Sequence, residues 1–488
     1  MKSQEGIIQF VLDNKIARVD FARQKLSPTL TVLNYLRSLP NHKGVKEGCA
    51  EGDCGACTVV IAELDHKNKL FYKAINSCLV FLPMINRKQL ITVENLATRK
   101  NHEVILHPVQ QAMVDLNGSQ CGYCTPGIVM SMFALYKNYK NPSREIIEDA
   151  LTGNLCRCTG YQSILKAAKK SCNLNVVDKF QENENEIISM LKSIKSSSGS
   201  ISIFSLEQKY FQPKSLKECF DLIETNPDVI CLNGSTDTAL RQTKKFEHLG
   251  EIIDLSAIDE LKQFRETQTE IIIGSALNLE ALKSEITESL PELFQLLKVF
   301  GSKQIRNLAT LGGNIATASP IGDALPLLIA SGANIKLISK KGERILSIEN
   351  FIKGYRKTDL KKGEIIHSII IPKLRDRHIR FYKVSKRKDL DISTVSAGFR
   401  IGIKKNVVSD ICLAFGGMAA MVRRATKTEK YLLNRKWSFE SVQAAMAHLD
   451  EDFTPLSDAR ANAEFRMDAA KNLLLKYFEE TRNGIISS

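Results

Sequence analysis

Residues 47–58 read EGCAEGDCGACT, so Cys49, Cys54 and Cys57 crowd onto a backbone that also carries Gly48, Gly52 and Gly55. A disulfide, a zinc ion, a reactive thiol and an iron–sulfur cluster would each draw cysteines together. Eight of the twelve cysteines fall into two groups. The first is Cys49-x4-Cys54-x2-Cys57 followed by Cys78; the second is Cys121-x2-Cys124 and, after 31 residues, Cys156-x-Cys158. Four thiolates suit either tetrahedral zinc or a [2Fe–2S] cluster. The first spacing is the plant-type cluster pattern, whereas structural zinc more often pairs two C-x2-C knuckles. Glycines in such a loop permit positive φ and let N–H groups turn toward the sulfurs, which favours the reduced, more negative cluster. Zinc needs less of that. In the second group one residue separates the last two cysteines, and spacing alone leaves zinc open there. Cys172, Cys219, Cys231 and Cys412 have no partner spacing and read as buried or incidental thiols.

The whole chain narrows these choices. With 488 residues, 43% hydrophobic and 25% charged, it has the composition of a globular protein of about three or four domains. No run of eighteen apolar residues occurs, so no membrane span is expected. The N-terminus has a single Lys before an apolar stretch that Gln9 interrupts, unlike a secretory signal. The expected location is the reducing cytoplasm, where structural disulfides are rare. A net charge of +14 invites nucleic acid, but the basic residues are dispersed and no recognition motif accompanies them. The densest run, KLRDRHIRFYKVSKRK from Lys373 to Lys388, reads either as a solvated face or as the neighbour of a phosphate-bearing group.

The elements that must hold the cysteines follow from local pattern. GIIQFVLDNKIARVDF reads as a hairpin turning at Asp13 and Asn14. SPTLTVLNYLRS carries a helix start, with Ser27 as N-cap and Pro28 at the first position. TVVIAEL, LFYKAINSCLV and QLITVENL read as strands, which makes 1–95 a small α+β domain. Residues 96–172 turn helical; HPVQQAMVDLNG starts at Pro108 and is expected to end at Gly118. Residues 173–203 are acidic and then serine-rich, the expected linker. Strands and helices then alternate through 204–376 and 377–488. Two glycine-rich turns, NGSTD from Asn233 to Asp237 and TLGGNIATASPIGDALP from Thr310 to Pro326, are not a Rossmann fingerprint, although successive amides there suit a pyrophosphate.

The segments GCAEGDCGACTVV, QCGYCTPGIVMS and LCRCTGYQSI, in this order, resemble the paired [2Fe–2S] domains of the molybdenum hydroxylases, the family of xanthine dehydrogenase and aldehyde oxidase. The resemblance implies an α+β multidomain chain. A β-grasp ferredoxin domain would hold one [2Fe–2S] cluster on Cys49, Cys54, Cys57 and Cys78. A four-helix domain would hold the other on Cys121, Cys124, Cys156 and Cys158, nearer the molybdenum, with Gln120 approaching the pterin. GSTD and LGGNIATASPIGDALP are similar to the family's FAD-binding stretches, on a fold shared with vanillyl-alcohol oxidase and the CO dehydrogenase flavoprotein. By that likeness Cys231, Leu232, Asn233, Gly234, Ser235, Thr236, Asp237 and Thr238 would hold the pyrophosphate and ribityl part. Thr310, Leu311, Gly312, Gly313 and Asn314 would form a second nest, and Asp323 would accept from the cofactor. Phe300 would pack near the adenine, and Ile366 and Lys383 would complete the site. Read as residues alone, Phe300 and Ile366 are equally core positions and Lys383 a surface charge. KRKDLDISTVSAGFR opens what resembles the family's C-terminal flavoprotein domain.

The chain stops at Ser488, without the molybdenum-binding half that single-chain members carry. The resemblance therefore implies the small subunit of a bacterial xanthine dehydrogenase, with molybdopterin in a large partner subunit and an α2β2 heterotetramer. Electrons from hypoxanthine or xanthine would pass through the clusters to FAD and on to NAD⁺, and no residue of this chain would be catalytic for hydroxylation. The alternatives are the equivalent subunit of an aldehyde or N-heterocycle dehydrogenase and, from another class, a zinc-stabilised basic binding module.

Overall fold

Asp13 and Asn14 take φ of 52° and 59°, the paired left-handed geometry of a tight hairpin, and join the strands Ile7–Leu12 and Lys15–Asp20. In this computed structural model, which describes residues 4–100, 103–174, 176–196, 199–387 and 389–482, that hairpin opens a five-stranded mixed sheet. The strand order is 15–20, 7–12, 89–91, 58–64, 70–76, with 7–12 and 89–91 parallel. The helix Val32–Ser38 lays Val32, Leu33 and Leu36 on the core formed with Ile8, Phe10, Val59, Ile61 and Ile75. This is a β-grasp domain. Its helix starts later than the Ser27 signal suggests: Thr31 caps it by accepting from the Asn34 N–H. The Leu30 carbonyl accepts from Leu82 N and the Val32 N–H donates to Val80 O, so residues 30–32 are held extended before the helix can begin.

Four helices follow, Pro108–Asp115, Thr125–Asn138, Arg144–Leu151 and Gln162–Cys172. His107 and Gln110 form a capping box on the first, and Ser143 caps the third. At the end of the first, Asn117 (φ 52°) takes the left-handed position expected of Gly118, whose N–H returns to Met113 O at 2.8 Å. The expected linker is largely helical where described, as Lys179–Glu182 and Glu184–Ser196. Ile187, Leu191 and Ile194, spaced as one helix face, bury against Val11, so the polar composition hid an apolar stripe. Residues 175, 197 and 198 lie outside the described set.

The chain divides into two compact units, Met1–Ile258 with Gly301–Ala309, and Asp259–Phe300 with Thr310–Ser488. Besides the β-grasp and helical parts, the first unit contains a sheet of Gln4–Glu5, Ile201–Ser205, Gln208–Gln212, Glu251–Asp254 and Ile230–Leu232, the last three parallel. The second unit contains an antiparallel sheet ordered 264–266, 270–274, 365–372, 334–339, 342–347. It also contains the antiparallel strands His378–Val384, Val395–Lys404, Val407–Gly416 and Arg423–Arg424. The helices Phe439–Asp452 and Ala463–Thr481 share a core with these strands through Phe399, Phe415, Leu449, Leu474 and Tyr477. The basic run is spent mostly on ion pairs: Lys373 with Glu266, Arg377 with Asp410, Arg380 with Glu292, Lys383 with Asp323 and Arg387 with Asp391. Lys388 lies outside the described residues.

Candidate functional site

The first cysteine loop leaves the Val32–Ser38 helix and is pinched shut by the Lys46 N–H bond to Ala56 O at 3.1 Å. Within it Ala50, Gly52 and Gly55 take φ of 55°, 79° and 72°. That curl turns three amides inward, and Glu51, Asp53 and Cys54 donate to Cys49 Sγ at 3.4, 3.3 and 3.3 Å. A hydrogen bond from the Cys54 thiol, reinforced by these amides, holds the Cys49 thiol down to about 5. Cys78 arrives on the short 3-10 turn Ser77–Leu79, its sulfur 3.3 Å from Cys57 Sγ, and both are buried. The four thiols therefore meet as two pairs, Cys49 with Cys54 and Cys57 with Cys78. Two pairs are what a two-iron cluster on four thiolates requires.

The second group repeats this pairing. Cys124 precedes the Thr125–Asn138 helix and meets Cys156, while Cys121 meets Cys158. The Tyr123 N–H holds the Cys121 thiol below its ordinary value. Cys121 and Cys158 are exposed, in contrast to Cys57 and Cys78, and Gln120 is exposed beside them. The two loops touch. Leu155 N donates to Cys54 O at 3.0 Å, and Asn154 Nδ2 donates to Gly55 O at 3.1 Å. A Cβ on Gly55 would sit 2.1 Å from Gly153 O, so this approach demands glycine twice over, by space and by φ. Ser131 and Gln304 complete a buried node on Asn154 Oδ1, at 2.6 and 2.9 Å.

The residues expected to hold flavin occur in both units. In the first, the turn after Ile230–Leu232 takes φ of 81° at Gly234 and 61° at Ser235. A Cβ on Gly234 would lie 2.0 Å from Leu308 O, and the buried Ser235 Oγ donates to Leu79 O, next to Cys78. Cys231 is exposed, Leu232 buried, and Asn233, Thr236, Asp237 and Thr238 are half-buried. In the second unit, Thr310–Asn314 is the first turn of the helix Leu311–Thr317 and not a free nest. Thr310 Oγ1 takes the Gly313 N–H at 3.0 Å, and Gly312 packs where a Cβ would be 2.5 Å from Ser275 Cβ. Among the described residues Asn314 Oδ1 is buried without a hydrogen-bond partner, a polar atom that a ligand donor would satisfy. Asp323 is buried and accepts from Lys383 Nζ at 2.7 Å and Ser393 Oγ at 2.6 Å, so Lys383 is a buried ion-pair partner and not a surface charge. Phe300 is half-buried, and Ile366 is buried in the strand Ile365–Pro372.

Comparison with known proteins bears on these sites. The family described as the [2Fe-2S] binding domain matches residues 92–169. The FAD binding domain in molybdopterin dehydrogenase matches 204–374, and the CO dehydrogenase flavoprotein C-terminal domain matches 380–481. The xanthine dehydrogenase of Emericella nidulans is 32% identical over 99% of this chain. The chain belongs to the molybdenum hydroxylase family. It spans 39% of the length of that relative, and 34% of the xanthine dehydrogenase of Drosophila subobscura, which is 35% identical over 84% of this chain. Among solved structures, a carbon monoxide dehydrogenase from Hydrogenophaga pseudoflava lacking the Mo-pyranopterin moiety is similar at a TM-score of 0.52 and 26% identity, over 55% of this chain and 94% of its own. This molybdenum hydroxylase chain is thus an α+β multidomain module with [2Fe–2S], FAD-binding and C-terminal flavoprotein domains.

Sequence reasoning missed Asn154, Ser131, Gln304 and Ser393. Asn154 stands two residues before Cys156, which is a weak signal. Gln304 and Ser393 meet partners 150 and 70 residues away, and nothing local announces that.

Proposed function

We propose that this chain is the electron-transfer subunit of a xanthine dehydrogenase, working in the cytoplasm beside a molybdopterin-binding large subunit in an α2β2 heterotetramer. In this reading Cys49, Cys54, Cys57 and Cys78 hold one [2Fe–2S] cluster, and Cys121, Cys124, Cys156 and Cys158 hold the other. Residues 231–238, Phe300, 310–314, Asp323, Ile366 and Lys383 hold FAD, and Gln120 serves the partner's molybdopterin. When bound, the clusters supply one-electron carriers and FAD a one- or two-electron carrier, joining purine oxidation at the partner's molybdenum to reduction of NAD⁺. The chain's own part is to present thiolates, to aim the Glu51, Asp53 and Cys54 amides at Cys49 Sγ, and to bury Cys57 and Cys78 from water.

The observation that carries the reading is the meeting of eight cysteines as four sulfur pairs in two adjoining loops. The purine assignment is supported by the names of relatives matched over nearly the whole chain. A second reading, the same module serving another molybdenum hydroxylase, is supported by the likeness to carbon monoxide dehydrogenase. Cysteine groups and flavin segments on one chain favour the first. Nucleic acid and membrane have no part in either, and among the described residues no helix is long and apolar enough to cross a membrane.

The test is co-purification with the molybdenum subunit, metal and flavin analysis, and assay of hypoxanthine and xanthine with NAD⁺. NADH formation is expected. Turnover of aldehydes or other heterocycles alone, or with oxygen alone, would overturn the purine and NAD⁺ assignments. A colourless protein containing zinc would overturn the whole reading.

A further inference from the structure

The short helix Thr238–Thr243 leads directly out of the Gly234–Ser235 turn and ends on Lys244. Lys244 reaches the first cysteine loop: its Nζ donates to the Cys49 carbonyl oxygen at 3.2 Å and lies 3.5 Å from Glu51 Oε2. Cys49 is also the sulfur on which three amides converge, and one of those amides is that of Glu51. A full positive charge is thereby fixed on the backbone of one candidate ligand, with its counter-charge two residues along the same loop. We propose that Lys244 is a positioning and charge-compensating residue that raises the reduction potential of the cluster on the first cysteine group, a role resting on the reading of that group as [2Fe–2S] ligands.

The physical argument is charge balance. Adding an electron makes the thiolate-bound site more negative, a nearby cation favours that state, and the Glu51 carboxylate opposes it. Lys244 and Glu51 are each a little under half exposed, at 45% and 44%, so water screens the effect well below that of a buried pair. An effect of about tenfold on the one-electron equilibrium, or about 59 mV, is expected. Among the described residues the Lys244 ammonium group meets the first loop, at Cys49 O and Glu51, so the second cysteine group should not respond.

The test is an EPR-monitored redox titration of the full chain with its molybdenum partner. Lys244→Met should move the first cluster about tenfold toward its oxidised form, Lys244→Arg should hold it near the original value, and Glu51→Gln should move it the opposite way. The second cluster should stay put in all three. A brace for the loop would not produce shifts of opposite sign. An unmoved potential in Lys244→Met with the first signal at full intensity would overturn the proposal. So would loss of that signal in Lys244→Met combined with an unshifted Glu51→Gln. Wild-type protein with no iron and no EPR signal would instead overturn the cluster assignment on which the proposal rests.

Discussion

Cys49 and Cys57 illustrate two ways of holding a thiolate. Cys49 collects three backbone N–H groups in a half-exposed loop, and Cys57 is buried against Cys78. Because each sulfur pair would serve one iron, losing a single member should empty its own group and spare the other. Cys54→Ser is expected to abolish one EPR signal and about half of the iron while the second signal persists; two intact signals would show the ligand set to be wrong. A different residue-scale test lies in the buried pair His107 and Asp178 with the half-buried Lys137. Val109 N–H donates to His107 Nδ1, so the ring proton sits on Nε2 and faces Asp178 Oδ2 at 3.1 Å, while Lys137 Nζ lies 3.2 Å from Oδ1. Burial pushes His107 below its ordinary value. Burial pushes Asp178 up, but the His107 hydrogen bond and the Lys137 charge outweigh it and hold the carboxyl down to about 2. Both folded values lie below their unfolded ones, near about 6.5 and 3.9. Acidification therefore protonates the unfolded chain first, and stability present above about pH 6.5 is lost as pH falls through that range toward 2. Melting temperature should drop between pH 7 and pH 4, and His107→Gln should flatten the upper part of that slope. A wild-type slope unchanged by His107→Gln would remove His107 from the account.

At the scale of elements, the segment 301–309 does more than its length suggests. Arg306 is fully buried, its Nη2 is 2.6 Å from Asp149 on the third helix of the cysteine bundle, and Gln304 joins Ser131 and Asn154. Removing one partner of such a pair strands a buried charge, so Arg306→Ala should cost about 3 kcal/mol, read as a fall in the urea midpoint. A loss under about 0.5 kcal/mol would mean that the site relaxes around the gap or lets water in. The hairpin, the strands and the four helices were legible in sequence because their signals are local: alternation, caps and turn residues within a few positions. The grouping of the eight cysteines was legible because their spacing is local too. The Ser27 cap failed because residues 30–32 are recruited by strand-like bonds to residues 80–82, fifty positions on. The helices within the expected linker went unread for the same kind of reason, since Ile187, Leu191 and Ile194 acquire meaning only from the Val11 surface they cover. The second glycine-rich turn looked like a nest, but Thr310 spends its hydroxyl on Gly313 and winds the turn into a helix.

On the scale of the whole molecule, the two compact units divide the candidate residues unequally. Both cysteine groups and the 231–238 turn belong to the first, and Thr310–Asn314, Asp323 and Lys383 to the second. Sequence composition suggested a boundary near residue 203 and gave no hint that 301–309 belongs with the first unit, because that assignment rests on contacts such as Arg306 with Asp149 and Asn307 with Ala74, 157 and 233 positions apart. If the second unit contributes to FAD and the first alone holds iron, the two cofactors should be separable by a mild lesion. Thr310→Ala is such a lesion. It deletes the cap on Leu311–Thr317, costs about 1 kcal/mol, and leaves every cysteine untouched. Purified full-length protein should then show reduced flavin absorbance with iron content and both EPR signals at wild-type level. On the proposed function, NAD⁺ reduction should fall with the flavin, since the chain would keep its way in for electrons and lose its way out. Parallel loss of iron would show that the two units load their cofactors as one, and full flavin occupancy would take Thr310 out of the site.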